Sequence, residues 1–150
     1  MPFLKDSSSH TVFNESGISV PFCKQQLSTL ISAIEMNESC RFSEIEVVFV
    51  DENQILEMNR KFLNHDYITD ILTFPYNDDP ASLDGTLICC ASQIEYQARD
   101  HNVSFQNELL RIVIHGLLHL AGYDDRTDDD TRKMRKLEDK YLMKYAGDAG

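Results

Sequence analysis

From Glu108 to Asp125 the chain reads Glu-Leu-Leu-Arg-Ile-Val-Ile-His-Gly-Leu-Leu-His-Leu-Ala-Gly-Tyr-Asp-Asp. His115 and His119 are four residues apart, so on a helix their rings share one face within reach of a single cation. The rest of that helix is apolar. An imidazole on such a face is costly to bury unless both ring nitrogens are satisfied, and a metal on one with an acceptor on the other achieves this. Gly122 follows three residues later, where a helix can end in a left-handed turn and the reversed chain can return a further side chain. That side chain is Asp125 or Asp124. The spacing His-x3-His-x2-Gly-x2-Asp is that of one zinc-hydrolase signature, except that Gly116 stands where zinc proteases carry the glutamate that serves as base.

Working outward, this helix is expected over about 104–121, opened by Ser104. A helix of about 92–100 precedes it, and a last one opens at Thr127, burying Met134, Leu137, Tyr141 and Tyr145. Upstream, Glu44 to Val50 alternates and then turns wholly apolar, as a strand entering a core does. Asp51 with Gln54 forms a capping box for a helix whose face is Ile55, Met58, Asn59 and Phe62, ended by Asn64-His65-Asp66. Two short strands, Ile71–Phe74 and Leu87–Cys90, flank the turn-rich stretch Pro75 to Pro80. A first helix follows Ser19-Val20-Pro21, with Pro in its first turn, a stripe of Cys23, Leu27, Leu30, Ile31 and Ile34, and an end near Asn37. Strands and helices mix throughout, which predicts an α+β fold, a small mixed sheet packed with about five helices.

The chain has 150 residues, 42% of them hydrophobic, with 6 Gly and 4 Pro, a balance that excludes disorder and repeat arrays and predicts one domain over residues 1–150 with frayed ends. Ile112 to Gly122 is too short to cross a bilayer, and Met1 to Asp6 lacks a basic start followed by an apolar core. A cytoplasmic protein without a membrane partner is expected. The four cysteines, Cys23, Cys40, Cys89 and Cys90, are expected to be buried reduced thiols, with Cys89 and Cys90 on opposite faces of a strand.

Net charge is −11, yet residues 126–145 hold seven of the 14 Lys and Arg against five acids, so this segment is locally +2. An unspecialised nucleic-acid coat is excluded; a local basic face is not. His10, His65 and His101 are expected at the surface, as are Asp128 to Asp130 and the basic side of the last helix.

These residues resemble the YbeY family of bacterial ribosomal-RNA maturation factors, described as zinc-dependent single-strand-specific endoribonucleases. His115-Gly116-Leu117-Leu118-His119-Leu120-Ala121-Gly122-Tyr123-Asp124-Asp125 matches that family's H-G-x-L-H-L-x-G-Y-D-H at each fixed position but the last, where Asp125 replaces the third histidine. Asn59 to Pro75 is similar to its N-x3-R-x2-D-x-P-T-D-V-L-S-F-P segment, with Leu63 where the family usually has an arginine thought to face substrate. Asp84-Gly85 stands near a position where it usually reads Gly-Asp. The resemblance spans roughly Glu44 to Tyr145. It implies a cleft beside a zincin-like histidine helix and one Zn2+ per chain on His115, His119 and Asp125. It also implies a nuclease, a hydrolase cutting single-stranded RNA, with ribosomal RNA and the ribosome as partners and no DNA. No base is assigned; Asp124 and Asp70 are the candidates. Arg60, Lys61, Arg99 and Arg111 are candidate phosphate contacts, Arg60, Lys61 and Arg111 foremost. The alternatives are a metalloprotease with a His-His-Asp site, which Gly116 disfavours, and a ribosome-associated protein with a structural zinc, which lacks a fourth ligand.

Overall fold

A computed structural model describes residues 8–149. The order is β1 (Ser9–Asn14), α1 (Lys24–Glu38), β2 (Phe42–Val50), α2 (Glu52–Leu63), β3 (Ile71–Asn77), β4 (Leu83–Cys90), α3 (Ala91–Asp100), α4 (Phe105–Leu120) and α5 (Asp128–Ala149). The four strands form one mixed sheet in the order β1-β2-β4-β3, parallel except for the antiparallel pair β3–β4. With five helices on it, this is the expected α+β architecture.

Alternation along β2 and β4 decides which helices lie on which face. Ile45, Val47, Phe49, Leu87 and Cys89 point into a large core shared with α1, α3, α4 and α5. Val48, Val50, Ile88 and Cys90 point the other way, into a smaller core closed by Ile55 and Met58 of α2. The adjacent cysteines therefore do face opposite sides. Cys40, Cys89 and Cys90 are buried, but Cys23 is exposed, because it occupies the extended N-cap of α1. There its N–H donates to Oε1 of Gln26 at 2.8 Å. Helix α1 consequently starts at Lys24, beyond Pro21, with Leu27, Leu30, Ile31 and Ile34 buried as expected.

The capping box of α2 forms as read: the Gln54 N–H donates to Asp51 Oδ1 at 2.8 Å, and the Asp51 N–H to Gln54 Oε1 at 3.1 Å. Asn64, at φ 56°, ends the helix. Phe62 does not join the buried face; it is exposed, edge-on to Phe74. Strand β1 was not expected. Ser9-His10-Thr11-Val12-Phe13-Asn14 carries no apolar alternation, and it is held by backbone pairing to β2 as an edge strand. His10 in it is half-buried, its Nε2 3.3 Å from the Phe42 carbonyl, whereas His65 and His101 are exposed. At the C-terminal end helix α5 continues through Ala149 in place of the expected fraying. Residues 1–7 and Gly150, the remainder of the expected frayed ends, lie outside the described residues.

Candidate metal centre

Helix α4 is positioned by its apolar faces and by a close approach to the sheet. A Cβ at Gly116 would stand 2.8 Å from Ile71 Cδ1 and 2.9 Å from both methyls of Leu87, so the smallest residue lets the histidine turn lie against β3 and β4. The helix ends in a Schellman motif: the Tyr123 N–H donates to the Leu118 carbonyl and the Gly122 N–H to that of His119, both at 3.0 Å, with Gly122 at φ +106°. The reversal carries Asp125 back over the two rings. Its Oδ2 is 3.4 Å from His115 Nε2 and its Oδ1 3.7 Å from His119 Nε2. Thr131, in the first turn of α5, holds the Asp125 carbonyl through its hydroxyl at 3.4 Å.

The two Nε2 atoms lie 3.1 Å apart. Lone pairs at that distance repel unless a proton or a cation stands between them. The other nitrogen of His115 is already used: Nδ1 is 2.7 Å from Oε2 of Glu138 on α5. A carboxylate only accepts, so Nδ1 carries the hydrogen and Nε2 presents its lone pair to His119 and Asp125. Arg111 in turn grips Glu138 at 3.0 Å and Asp139 at 2.7 Å. Two imidazole nitrogens and a carboxylate oxygen, all within 4.8 Å of one another, make a donor set that can hold one divalent cation, with Asp125 on the exposed side. Burial pushes the His115 pKa down, but the Glu138 hydrogen bond and charge, with the charges of Asp125 and Asp70, outweigh it and hold His115 above the usual 6.5. Burial pushes Glu138 up, and the bonds and charges of His115 and Arg111 carry it below the usual 4.5.

A family model described as Endoribonuclease YbeY matches residues 11–146. Proteins named endoribonuclease YbeY are similar to this chain: that of Chlorobaculum tepidum is 40% identical over 118 residues, 79% of this chain and 85% of that protein. That of Flavobacterium johnsoniae is 34% identical over 122 residues, 81% of this chain and 87% of that protein. The chain belongs to the YbeY family. A solution structure of a Thermotoga maritima protein superposes with a TM-score of 0.61 at 31% identity, covering 92% of this chain and 89% of that one.

Two clefts flank the donor set. One, of about 480 Å³, runs between α3, α4 and α5 past His115, Asp125, Glu138 and Asp70. The other, of about 600 Å³, runs from His115, His119 and Asp125 along β3 to Leu63 and Tyr67. Asp70 lines both, its Oδ2 accepting from Gln97 at 3.2 Å, while Asp124 is exposed and outside the donor set. Leu63, the family departure, does lie in the second cleft. Arg60 and Lys61 line neither: Arg60 pairs with Asp66, and the Lys61 ammonium sits 5.4 Å from the Phe62 ring centre. Arg111 faces the first cleft with its guanidinium already engaged by Glu138 and Asp139.

Neither Glu138 nor Glu38 belongs to a motif in the sequence. Glu138 lies in the stripe Met134, Glu138, Tyr141 that α5 buries, and an acid in an apolar stripe is the signal that could have found it. Glu38, at the end of α1, accepts the hydroxyls of both Tyr123 and Tyr141, which ties α1 to the return loop and to α5.

Proposed function

We propose that this chain, acting as a single metal-dependent hydrolase domain, is a zinc-dependent endoribonuclease. Its substrate is single-stranded RNA in ribosomal RNA maturation and ribosome quality control, in the cytoplasm. The observation that carries this is the convergence of His115 Nε2, His119 Nε2 and a carboxylate oxygen of Asp125 at the mouth of two open clefts, in the motif of a family described as endoribonucleases. When bound, zinc supplies Lewis acidity toward a phosphoryl oxygen and lowers the pKa of a water ligand.

The chain's own residues supply the rest. Glu138 fixes the tautomer and orientation of His115, and Arg111 fixes Glu138. Asp70 stands in both clefts with one oxygen held by Gln97, placed to take a proton from the cleft solvent, which makes it the better candidate base of the two. Lys61 and the exposed basic side of α5 remain available to phosphates that run beyond the clefts, whereas the exposed Arg60 is shared with Asp66.

The test is incubation of the purified protein with single-stranded RNA, double-stranded RNA and casein, each with and without chelator. Chelator-sensitive cleavage of single-stranded RNA alone is expected. Casein cleavage would support the protease reading, and zinc retention without cleavage a structural site.

A further inference from the structure

The cleft that leaves the donor set along β3 ends at Tyr67, an aromatic residue backed by His65 that the metal chemistry does not use. The rings of His65 and Tyr67 are stacked, with centres 5.2 Å apart and planes 19° apart, and the Tyr67 hydroxyl is 3.0 Å from His65 Nδ1. Tyr67 remains 54% exposed and Leu63 46%, and both line the cleft that His115, His119 and Asp125 enter from the other end.

This exposed loop is anchored. Asn59, 1% exposed, donates from Nδ2 to the Tyr67 carbonyl at 2.8 Å, and its backbone carbonyl accepts from the His65 N–H at 3.1 Å. Asn64 takes the left-handed conformation that lets the chain turn between them. One buried residue thus holds the backbone at both ends of the aromatic segment, which lowers the ordering cost of binding there.

The charge around it selects the ligand. The cleft lining includes Asp70 and Asp125 but no Lys or Arg, and the nearby Arg60 is paired with Asp66. Away from the metal centre, phosphates would find nothing cationic on this wall, whereas a planar, uncharged, unpaired base would find an aromatic face and the Leu63 side chain.

We propose that Tyr67, backed by His65 and flanked by Leu63, is a stacking shelf for one unpaired base of the substrate strand, next to the phosphate presented to the metal centre. Leu63 then replaces an ionic contact with an apolar one, and the family departure alters how the strand is held without removing a substrate contact. This rests on the endoribonuclease reading above.

The experiment is fluorescence anisotropy with the zinc-loaded protein and a short single-stranded 2′-O-methyl oligonucleotide, intact and with an abasic residue at each position in turn. Cleavage of unmodified single-stranded RNA is measured alongside. For the unaltered protein one abasic position should weaken binding roughly five- to a hundredfold. Tyr67→Ala should lose a similar factor on the intact oligonucleotide and be indifferent to that abasic position, and Tyr67→Phe should bind as the unaltered protein does. Where Tyr67→Ala fails to fold, Tyr67→Leu, which keeps apolar bulk without an aromatic face, makes the same comparison, and a variant as sensitive to that abasic position as the unaltered protein overturns the shelf. RNA cleavage with no sensitive abasic position overturns the shelf and leaves the enzyme reading standing. Failure to bind or cleave any single-stranded RNA overturns both.

Discussion

Glu138 on α5 places Oε2 2.7 Å from Nδ1 of His115 on α4, so the ring that can grip a cation is oriented from a different helix. Replacing Glu138 with Ala removes that orienting contact and leaves the half-buried Arg111 with Asp139 alone. Zinc affinity should fall about 10–100-fold. Glu138→Gln keeps an acceptor for Nδ1–H and should lose less. Competition titration against a chromogenic chelator measures both, and equal affinities for all three proteins would show that Glu138 has no part in the site.

The same pair makes the stability of the metal-free protein depend on pH in two directions. His115 is raised in the folded state, so its contribution is complete below the usual 6.5 and is lost as pH rises through the higher folded value. Glu138 is lowered, so its contribution is present above the usual 4.5 and is lost as pH falls through the lower folded value. Both act fully between those two pH values. Melting temperatures of metal-free protein across this range should show a maximum that Glu138→Gln flattens.

Much of this was readable from local chemistry. Gly122 announced a helix end because few other residues take its φ cheaply, and Asp51 with Gln54 announced a helix start because each satisfies the other's backbone. What escaped reading depends on distant partners. Nothing in Ser9 to Asn14 shows that it pairs with β2, since an edge strand needs little apolar pattern of its own. Arg111 reads as a phosphate contact until α5 brings Glu138 and Asp139 to it 27 and 28 residues along the chain. The basic, exposed side of α5 likewise drew attention from Glu138, the acid that the helix buries.

Glu38 carries two hydroxyl bonds, one to Tyr141, which is 0% exposed, and one to Tyr123, two residues before Asp125. Glu38→Ala should cost about 1–3 kcal/mol for the buried hydroxyl left without an acceptor, read as a lower urea midpoint. Zinc affinity should fall with it, since the return loop loses its anchor, and Glu38→Gln should restore much of both. The Tyr123 hydroxyl bond to Glu38, burial and the Glu38 charge push that phenol up from 10.0 to about 12. Stability should therefore decline as pH rises over that interval, and decline less in Glu38→Gln.

Binding of RNA by a chain of net charge −11 requires a locally basic face. Arg132, Lys133, Arg135 and Lys136 are exposed along α5, and Arg135 also lines the cleft past His115. Reversing these four charges should weaken binding to single-stranded RNA and flatten its salt dependence. Unchanged affinity in filter-binding assays would move the phosphate path to Arg60 and Lys61.

Asp125, with one oxygen toward each ring, is the carboxylate that should complete the metal centre, whereas the exposed Asp124 lies outside that donor set. Asp125→Ala should lose stoichiometric zinc by elemental analysis, as should His115→Ala and His119→Ala, while Asp124→Ala keeps it. A carboxylate in place of imidazole also sets a full negative charge against the cation, which lowers its Lewis acidity. The cleavage rate of the natural site should therefore rise at more alkaline pH than that of Asp125→His, which restores the family's histidine and should retain metal. The comparison needs kcat/KM profiles of both proteins on one single-stranded RNA, with zinc content verified at each pH. A more acidic profile for the natural site would overturn the charge argument, and zinc lost only from Asp124→Ala would assign the ligand to the other aspartate.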